Sequence, residues 1–173
     1  YVYKKTQYQI KIENSEKQYR LVSENVSDVI WVFEIISRKF LYVSPSIYKL
    51  IEKTPDEVMK GTIEDILTLK SFQYMEKVLP GRIMEFQSGI KKDYVDELEN
   101  IHKSGKIIFV EIISNYKLSE ETGNIEVYGI TRDITERKLA DEKLRENEER
   151  YRLLFEHNPA PMLVYERNSL KML

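Results

Sequence analysis

Short runs of apolar residues, most of them alternating with polar ones, recur five times along the chain in the manner of β-strands. Residues that favour turns separate the last three runs, at 102–105 and 119–124, so these three strands are predicted to pair as antiparallel neighbours. The five predicted strands cover residues 28–34, 40–43, 94–101, 106–118 and 125–134.

Between the second and third strands the apolar residues follow the helical period. Two short helices are predicted at 44–51 and 54–61, followed by a turn at 62–67. The longest pattern covers 71–89, where Pro80 predicts a kink or a break because proline removes a helix hydrogen bond. This order predicts an α+β domain in which short helices are inserted after the second strand of a five-stranded antiparallel sheet.

The last strand runs almost directly into another helical segment. From Thr135 onward Glu, Arg, Lys, Leu and Ala dominate, and neither Gly nor Pro occurs before Pro159. Asp133 and Glu136 fit a capping box, in which the Asp133 carboxylate accepts the third helical N–H and Glu136 reaches back to the cap N–H. Because the junction has almost no slack, Asp133, Thr135 and Glu136 are predicted to relay a change in the sheet to whatever follows the helix.

Two rows of residues seven positions apart lie along this helix, and most positions outside them are charged. The rows hold Arg137, Leu144 and Tyr151, and Ala140, Asn147 and Leu154. The pattern predicts a dimer seam that includes Leu144, Asn147, Tyr151 and Leu154. The alternative is a solvated helix whose apolar spacing is incidental. A polar seam residue such as Asn147 makes the coil marginal, which suits a helix that changes register.

Residues 1–24 have a similar helical composition, with Tyr8, Ile12, Tyr19 and Val22 on a predicted N-terminal seam. A shift of 132 positions superimposes residues 16–34 on 148–166 with seven identities and keeps the heptad frame, which predicts tandem domains joined by such helices. The predicted organisation is a linker helix at 1–24, a domain at 25–135, a signalling helix at 136–155 and the start of a second domain at 156–173.

The composition narrows the classes of function. With 173 residues, 42% of them apolar, the chain supports a core of ordinary size. The formal charge of −2 gives no electrostatic case for nucleic acid. No apolar run reaches the length of a membrane span, so we expect no membrane contact by this fragment and a cytoplasmic location, with an anchor elsewhere in the parent protein left open. The absence of cysteine excludes disulfides, thiolate metal sites and thiol nucleophiles.

The order of the elements, together with five motifs, resembles the PAS sensor domain. The motifs are EKQYRLV at 16–22, FLYVSPS at 40–46, TPDEVMKG at 54–61, HKSG at 102–105 and GITRDITERK at 129–138. The last motif is characteristic of the exit from such domains. The resemblance covers roughly residues 16–138, and residues 148–173 resemble the opening of a second PAS domain.

The resemblance implies a sensory role. PAS domains of this kind lie in tandem upstream of histidine kinase, diguanylate cyclase or similar output modules, and they signal through the exit helix. We therefore predict a homodimer that forms through the linker helices. Adjacent PAS domains and an output domain are expected in the same chain, and a histidine kinase is the first expectation for the output. The alternative is a ligand-free dimerisation scaffold in a diguanylate cyclase or another signalling protein.

The resemblance also bears on cofactors. The light-sensing flavin branch uses a cysteine just past the position of Gly61, and the haem-binding branch uses a histidine on the long helix. This chain has no cysteine, and residues 71–92 contain no histidine, so we expect neither a cysteinyl-flavin adduct nor haem. Asn100 matches one polar flavin-binding position, whereas Val110 and Thr131 stand where that branch has amides. The expected cofactor is therefore none, or an unknown small molecule.

The resemblance places ten residues around a possible ligand pocket. They are Trp31, Phe33, Ile47, Thr62, Asn100, Val110, Ile112, Ser114, Val127 and Thr131. The rival interpretation is that Trp31 and Phe33 simply fill the interior. No catalytic and no metal-binding residues are predicted, because the two histidines lie in different predicted domains and the serines have no adjacent base.

Overall fold

The computed structural model describes residues 27–156. The predicted linker helix at 1–24, its seam residues Tyr8, Ile12, Tyr19 and Val22, and residues 157–173 of the predicted second domain lie outside the described residues. The chain divides into two compact units between Thr135 and Glu136. In the described part, the first unit contains a sheet with its helices, and the second contains a helix that ends at Glu156.

Five strands form one antiparallel sheet in the order β2-β1-β5-β4-β3. Their bounds are Val29–Glu34 for β1, Lys39–Val43 for β2, Tyr94–Ile101 for β3, Ile107–Leu118 for β4 and Ile125–Asp133 for β5. The predicted α+β class and all five strands are confirmed, and no strand end differs from its prediction by more than one residue. Because β5 lies between β1 and β4, the last strand of the fold occupies the centre of the sheet.

Three helices and a 3-10 turn connect β2 to β3. They are α1 (Ile47–Ile51), α2 (Pro55–Lys60), the 3-10 turn (Ile63–Asp65) and α3 (Leu69–Gln87). Helix α2 begins with a capping box, since the Thr54 hydroxyl accepts the N–H of Glu57 and the Glu57 carboxylate accepts the N–H of Thr54. The start predicted for this helix is therefore confirmed.

Helix α1 begins at Ile47 rather than at residue 44 as predicted. The reason lies in two buried serines that bind strand β1 instead of opening the helix. The Ser44 hydroxyl accepts the N–H of Ile30 at 2.9 Å, and the Ser46 hydroxyl donates to the carbonyl of Asp28 at the same distance. These bonds fix the start of β1 against the chain that leads into α1.

Helix α3 is continuous across Pro80, so the break predicted there is wrong. Its first residue is Leu69 instead of Ser71, because Thr68 provides the cap and accepts the N–H of Ser71. Proline costs the helix one internal bond, but a helix in a protein is stabilised mainly by its packing. Residues on both sides of Pro80 are held against the sheet, which explains the uninterrupted helix.

A buried ion pair joins α3 to the edge strand β3. Arg82 donates two hydrogen bonds to the Asp96 carboxylate, each of 2.7 Å, and the Tyr74 hydroxyl donates a third of 2.8 Å. The side chains of Arg82 and Asp96 are only 10% and 2% exposed. Burial alone would raise the pKa of Asp96, but the hydrogen bonds from Arg82 and Tyr74 outweigh it and hold the pKa below its ordinary value.

The hydrophobic core lies between one face of the sheet and the helices. Its residues come from both the strands and the short helices, so these elements pack against one another. The buried residues of its larger cluster are Val29, Val43, Ile47, Leu50, Ile51, Val58, Ile66, Leu67, Leu98, Ile108 and Val110.

Helix α4 (Thr135–Glu156) has 22 residues. After Thr135 its side chains are exposed, except that of Lys138, which is half-buried. The predicted seam residues Leu144, Asn147, Tyr151 and Leu154 are all among the exposed side chains. The helix is thus present as predicted, while the dimer seam stays a prediction.

Candidate ligand-binding site

A cavity of about 140 Å³ lies inside the first unit, between the sheet and the helices. Voids larger than a water molecule are few in protein interiors, so a cavity of this size is a candidate binding site. Ordinary ligand pockets occupy roughly 300–1,000 Å³. The cavity therefore suits a small ligand. Trp31 and Phe33 do not fill the interior completely.

Eight of the ten residues predicted for the pocket line this cavity. They are Trp31, Phe33, Ile47, Asn100, Ile112, Ser114, Val127 and Thr131. Val110 instead belongs to the adjoining core, where it is fully buried. Thr62 lies outside the cavity and is exposed, because its N–H and its hydroxyl both donate to the Asp65 carboxylate at the start of the 3-10 turn. That the lining binds a ligand stays a prediction.

The position of Trp31 depends on a glycine in the neighbouring strand. Trp31 and Gly129 are directly opposite each other in β1 and β5, and a Cβ at Gly129 would overlap the indole ring. The ring consequently lies against bare backbone. Its Nε1–H donates to the Thr131 hydroxyl at 2.8 Å, which satisfies the only polar group of the indole.

Three polar side chains from three strands line the cavity and are buried. Asn100 on β3 is 4% exposed, Ser114 on β4 is 3% exposed, and Thr131 on β5 is 5% exposed. The Oδ1 atom of Asn100 is buried without a hydrogen-bond partner. A mainly apolar cavity with a few fixed polar groups is the usual form of a small-molecule site.

The solvent side of the cavity is marked by an ion pair. Arg38, in the turn between β1 and β2, donates to the Glu76 carboxylate on α3 at 2.9 Å, and both side chains are nearly half exposed. Its guanidinium also lies 5.9 Å from the centre of the Phe72 ring. The bond to Glu76 is the main cause that raises the pKa of Arg38 above its ordinary value, against a smaller opposing effect of burial.

Sequence reasoning missed the contribution of α3 to the cavity. Phe72, Met75, Glu76 and Leu79 all line it, and their spacing of three and four residues places them on one helical face. That spacing was visible in the sequence. The predicted lining instead followed the family resemblance, which named no residue of α3.

Within 27–156, no three His, Asp or Glu side chains come together in a way that would hold a metal ion. The Ser44 hydroxyl bonds to that of Ser46 at 2.6 Å and accepts a backbone N–H, so these serines are used to position backbone. None of the described helices combines the length and the apolar character needed to cross a bilayer.

The junction from β5 to α4 is hydrogen-bonded to strand β4. The Thr135 hydroxyl accepts the N–H of Phe109 at 3.1 Å, and the N–H of Ile134 donates to the carbonyl of Phe109 at 2.9 Å. The Asp133 carboxylate accepts the N–H of Thr135 at 2.8 Å, not the N–H of Glu136 that the capping box predicted. Thr135 is thus held both by the Asp133 carboxylate and by Phe109 of β4.

Solved structures resemble the fold, whereas no protein-family model and no curated protein sequence matches the chain. One is a PAS domain of a protein from Colwellia psychrerythraea, with a TM-score of 0.56 and 18% identity, covering 69% of this chain and 97% of the other. Another is a PAS domain from a two-component sensor histidine kinase, with a TM-score of 0.54 and 16% identity, covering 70% and 97%.

A third similar structure is a sensory box histidine kinase/response regulator from Burkholderia thailandensis. Its TM-score is 0.56 and its identity is 18%, with 78% of this chain and 98% of the other covered. At these identities the likeness concerns the arrangement of the backbone. The five-stranded antiparallel sheet and the helices inserted after β2 match the PAS fold.

Proposed function

The chain has a PAS fold, and on that premise we propose that it is a sensory domain which relays a signal through α4 to an output domain of the same protein. Two of the similar structures come from histidine kinases, which supports a histidine kinase as the output. The domain itself acts by changing conformation and performs no chemistry.

The observation that carries this proposal is the hydrogen-bonded junction. Strands β4 and β5 supply Ile112, Ser114 and Thr131 to the cavity, and the same two strands hold Thr135 through Phe109. A change in the cavity that shifts β4 against β5 would therefore strain the start of α4. Coupling between two sites is typically worth about 1–3 kcal/mol, so a few hydrogen bonds of this kind suffice to bias an output.

The ligand, in this proposal, is a small molecule held in the interior cavity. Haem and flavin are not proposed, since the cavity is smaller than the roughly 300 Å³ at which ordinary ligand pockets begin. A signal of this kind acts by its difference in affinity for the two conformations of the domain.

A second function is favoured by a separate observation, the exposed apolar side chains of α4. Leu144 and Tyr151 are 60% and 62% exposed, as expected of a helix that pairs with a second copy. In that case the domain is a ligand-free dimerisation scaffold, as in a diguanylate cyclase or another signalling protein.

The relay is tested by Thr135→Val in the full-length parent protein. The variant keeps the shape of the side chain but loses its hydrogen bond to Phe109. We expect phosphorylation by the output kinase to lose its dependence on the input, while Thr122→Val in the turn before β5 leaves regulation intact. Normal regulation in Thr135→Val would contradict the relay.

Native mass spectrometry of the chain purified from cells separates the two functions. A bound small molecule in stoichiometric amount supports the sensor. Tight dimers without a bound molecule support the scaffold, and dimers that dissociate on Leu144→Lys would assign the seam to α4.

A further inference from the structure

Two buried side-chain oxygens among the described residues have no hydrogen-bond partner, the Oδ1 atoms of Asn100 and Asn115. Asn100 is 4% exposed and lines the interior cavity. Asn115 follows Ser114 in β4, so it lies on the opposite face of the sheet and outside that cavity. An unpaired acceptor in the interior is costly and needs an explanation, and for Asn100 the adjoining space offers one.

The place of Asn100 beside the cavity is set by its backbone, which is held from both sides. Asn100 pairs with Ile108 of β4 on one side and forms a bridge with Leu67 on the other. Immediately beside it, the N–H of Ile101 donates to the carbonyl of Ile66 at 2.6 Å, and the carbonyl of Glu99 accepts the N–H of Thr68 at 3.0 Å. A fixed backbone therefore keeps this amide at the cavity.

The charges of the lining select against an ionic ligand. Arg38 and Glu76 are the charged residues that line the cavity, and they are paired with each other. A ligand charge would enter an apolar space with no counter-ion, which is strongly unfavourable. The ligand is accordingly uncharged.

The volume limits the size of the ligand. The cavity measures about 140 Å³. An engineered apolar cavity of about 150 Å³ in another protein binds benzene. A single six-membered ring, or an aliphatic group of similar bulk, therefore fits the interior without rearrangement.

We propose that the cavity binds an uncharged molecule about the size of one benzene ring that donates an O–H or N–H hydrogen bond to Oδ1 of Asn100. This inference rests on the proposed sensory function and specifies the class of ligand for the same cavity. Water at this amide would leave the apolar remainder of the lining without packing partners, whereas an organic molecule contacts it as well.

Three probes of similar size test the inference on the 173-residue chain: phenol, fluorobenzene and benzene. Phenol can donate a hydrogen bond, fluorobenzene has a polar substituent without a donor, and benzene has neither. We expect phenol to bind on the order of fivefold to tenfold more tightly than fluorobenzene, as one net hydrogen bond allows. Affinities are measured by ¹H–¹⁵N NMR titration, with the side-chain NH₂ signals of Asn100 among those that shift.

Two matched variants assign the preference to one amide. Asn100→Leu should bind phenol and fluorobenzene equally and still bind benzene, whereas Asn115→Leu, which removes the other unpaired side-chain oxygen, should keep the preference for phenol. If Asn100→Leu does not fold, the three probes on the unaltered chain decide the question.

Each contrary outcome has a separate meaning. Equal binding of phenol and fluorobenzene overturns the donor requirement and leaves the proposed relay intact. A phenol preference that survives in Asn100→Leu overturns the assignment to this amide. Failure of all three probes to bind overturns the inference and removes ligand sensing in this cavity as well, while the relay itself fails only if Thr135→Val keeps normal regulation.

Discussion

Helices α3 and α4 are the two longest in the described part of the chain, and they differ in nearly all their contacts. Each takes part in an arginine–carboxylate pair, Arg82 of α3 with Asp96 of β3 and Arg145 with Glu142 within α4. The first pair is almost fully buried against the sheet, whereas the side chains of the second are 66% and 51% exposed. The same chemical groups thus hold α3 in place from a buried position, whereas in α4 they lie on the exposed surface.

The comparison shows how one domain separates a fixed part from an adaptable one. Exposed ion pairs are worth little because water and salt screen them, while a buried pair that loses one partner leaves an uncompensated charge. Helix α3 is therefore a rigid wall of the cavity. Helix α4 keeps its apolar side chains exposed, as suits the proposed relay to a partner.

The largest expected effect is the loss of the buried pair. Asp96→Ala should lower the free energy of unfolding by about 3–5 kcal/mol, because Arg82 is left buried without its counter-ion. Urea titration measures the loss. The double variant Arg82→Met/Asp96→Leu should regain most of it, and a loss below about 1 kcal/mol in Asp96→Ala would show that α3 is not held in this way.

The second effect is the dependence of this pair on pH. The pKa of Asp96 is lowered in the folded state, so its contribution to stability is present above the ordinary Asp pKa of about 4 and is lost as the pH falls through the folded-state value. The difference in stability between the unaltered chain and the Arg82→Met/Asp96→Leu variant should shift in favour of the variant below about pH 4. A difference independent of pH in urea titrations would contradict the lowered pKa.

The starts of the two helices should respond differently to loss of their caps. Thr68→Ala and Asp133→Ala each remove a side chain that accepts a helical N–H, which typically costs about 1 kcal/mol. For Thr68 the loss should appear in the unfolding of the whole first unit. For Asp133 it should appear mainly as faster amide exchange at residues 136–140, and equal global destabilisation by both variants would argue against an independent α4.

The smallest effect is expected from the exposed pair. Glu142→Ala removes the partner of Arg145 and should change the free energy of unfolding by no more than about 0.5 kcal/mol. The same urea titration measures it. A loss as large as that of Asp96→Ala would mean that α4 is packed as firmly as α3.

Local patterns explain why the strands could be predicted so closely. In β3 the side chains of Asp96, Leu98 and Asn100 are buried, while Glu97 is exposed and Glu99 is half-buried, and this alternation identifies the strand. The capping box of α2 was equally local. Such features depend on neighbours in sequence and can be read directly.

The features that escaped sequence analysis depend on distant residues. Nothing local connects Arg82 with Asp96, and nothing local shows that packing against the sheet carries α3 through Pro80. The resemblance identified most of the cavity lining but misplaced Thr62, whose side chain is used by its own turn. The volume of the cavity and the unpaired oxygen of Asn100 depend on strands and helices that are distant in sequence, so only the three-dimensional structure reveals them.

The pairing of Trp31 with Gly129 bears on which molecules the cavity can admit. The indole occupies room that exists because the opposite residue has no side chain. A smaller residue at position 31 would enlarge the cavity, which could then admit bulkier molecules. Any side chain at position 129 would displace the indole ring. In the proposed ligand site, this cross-strand pair therefore offers one place where natural variation or an engineer could change the size of the accepted molecule without rebuilding the fold.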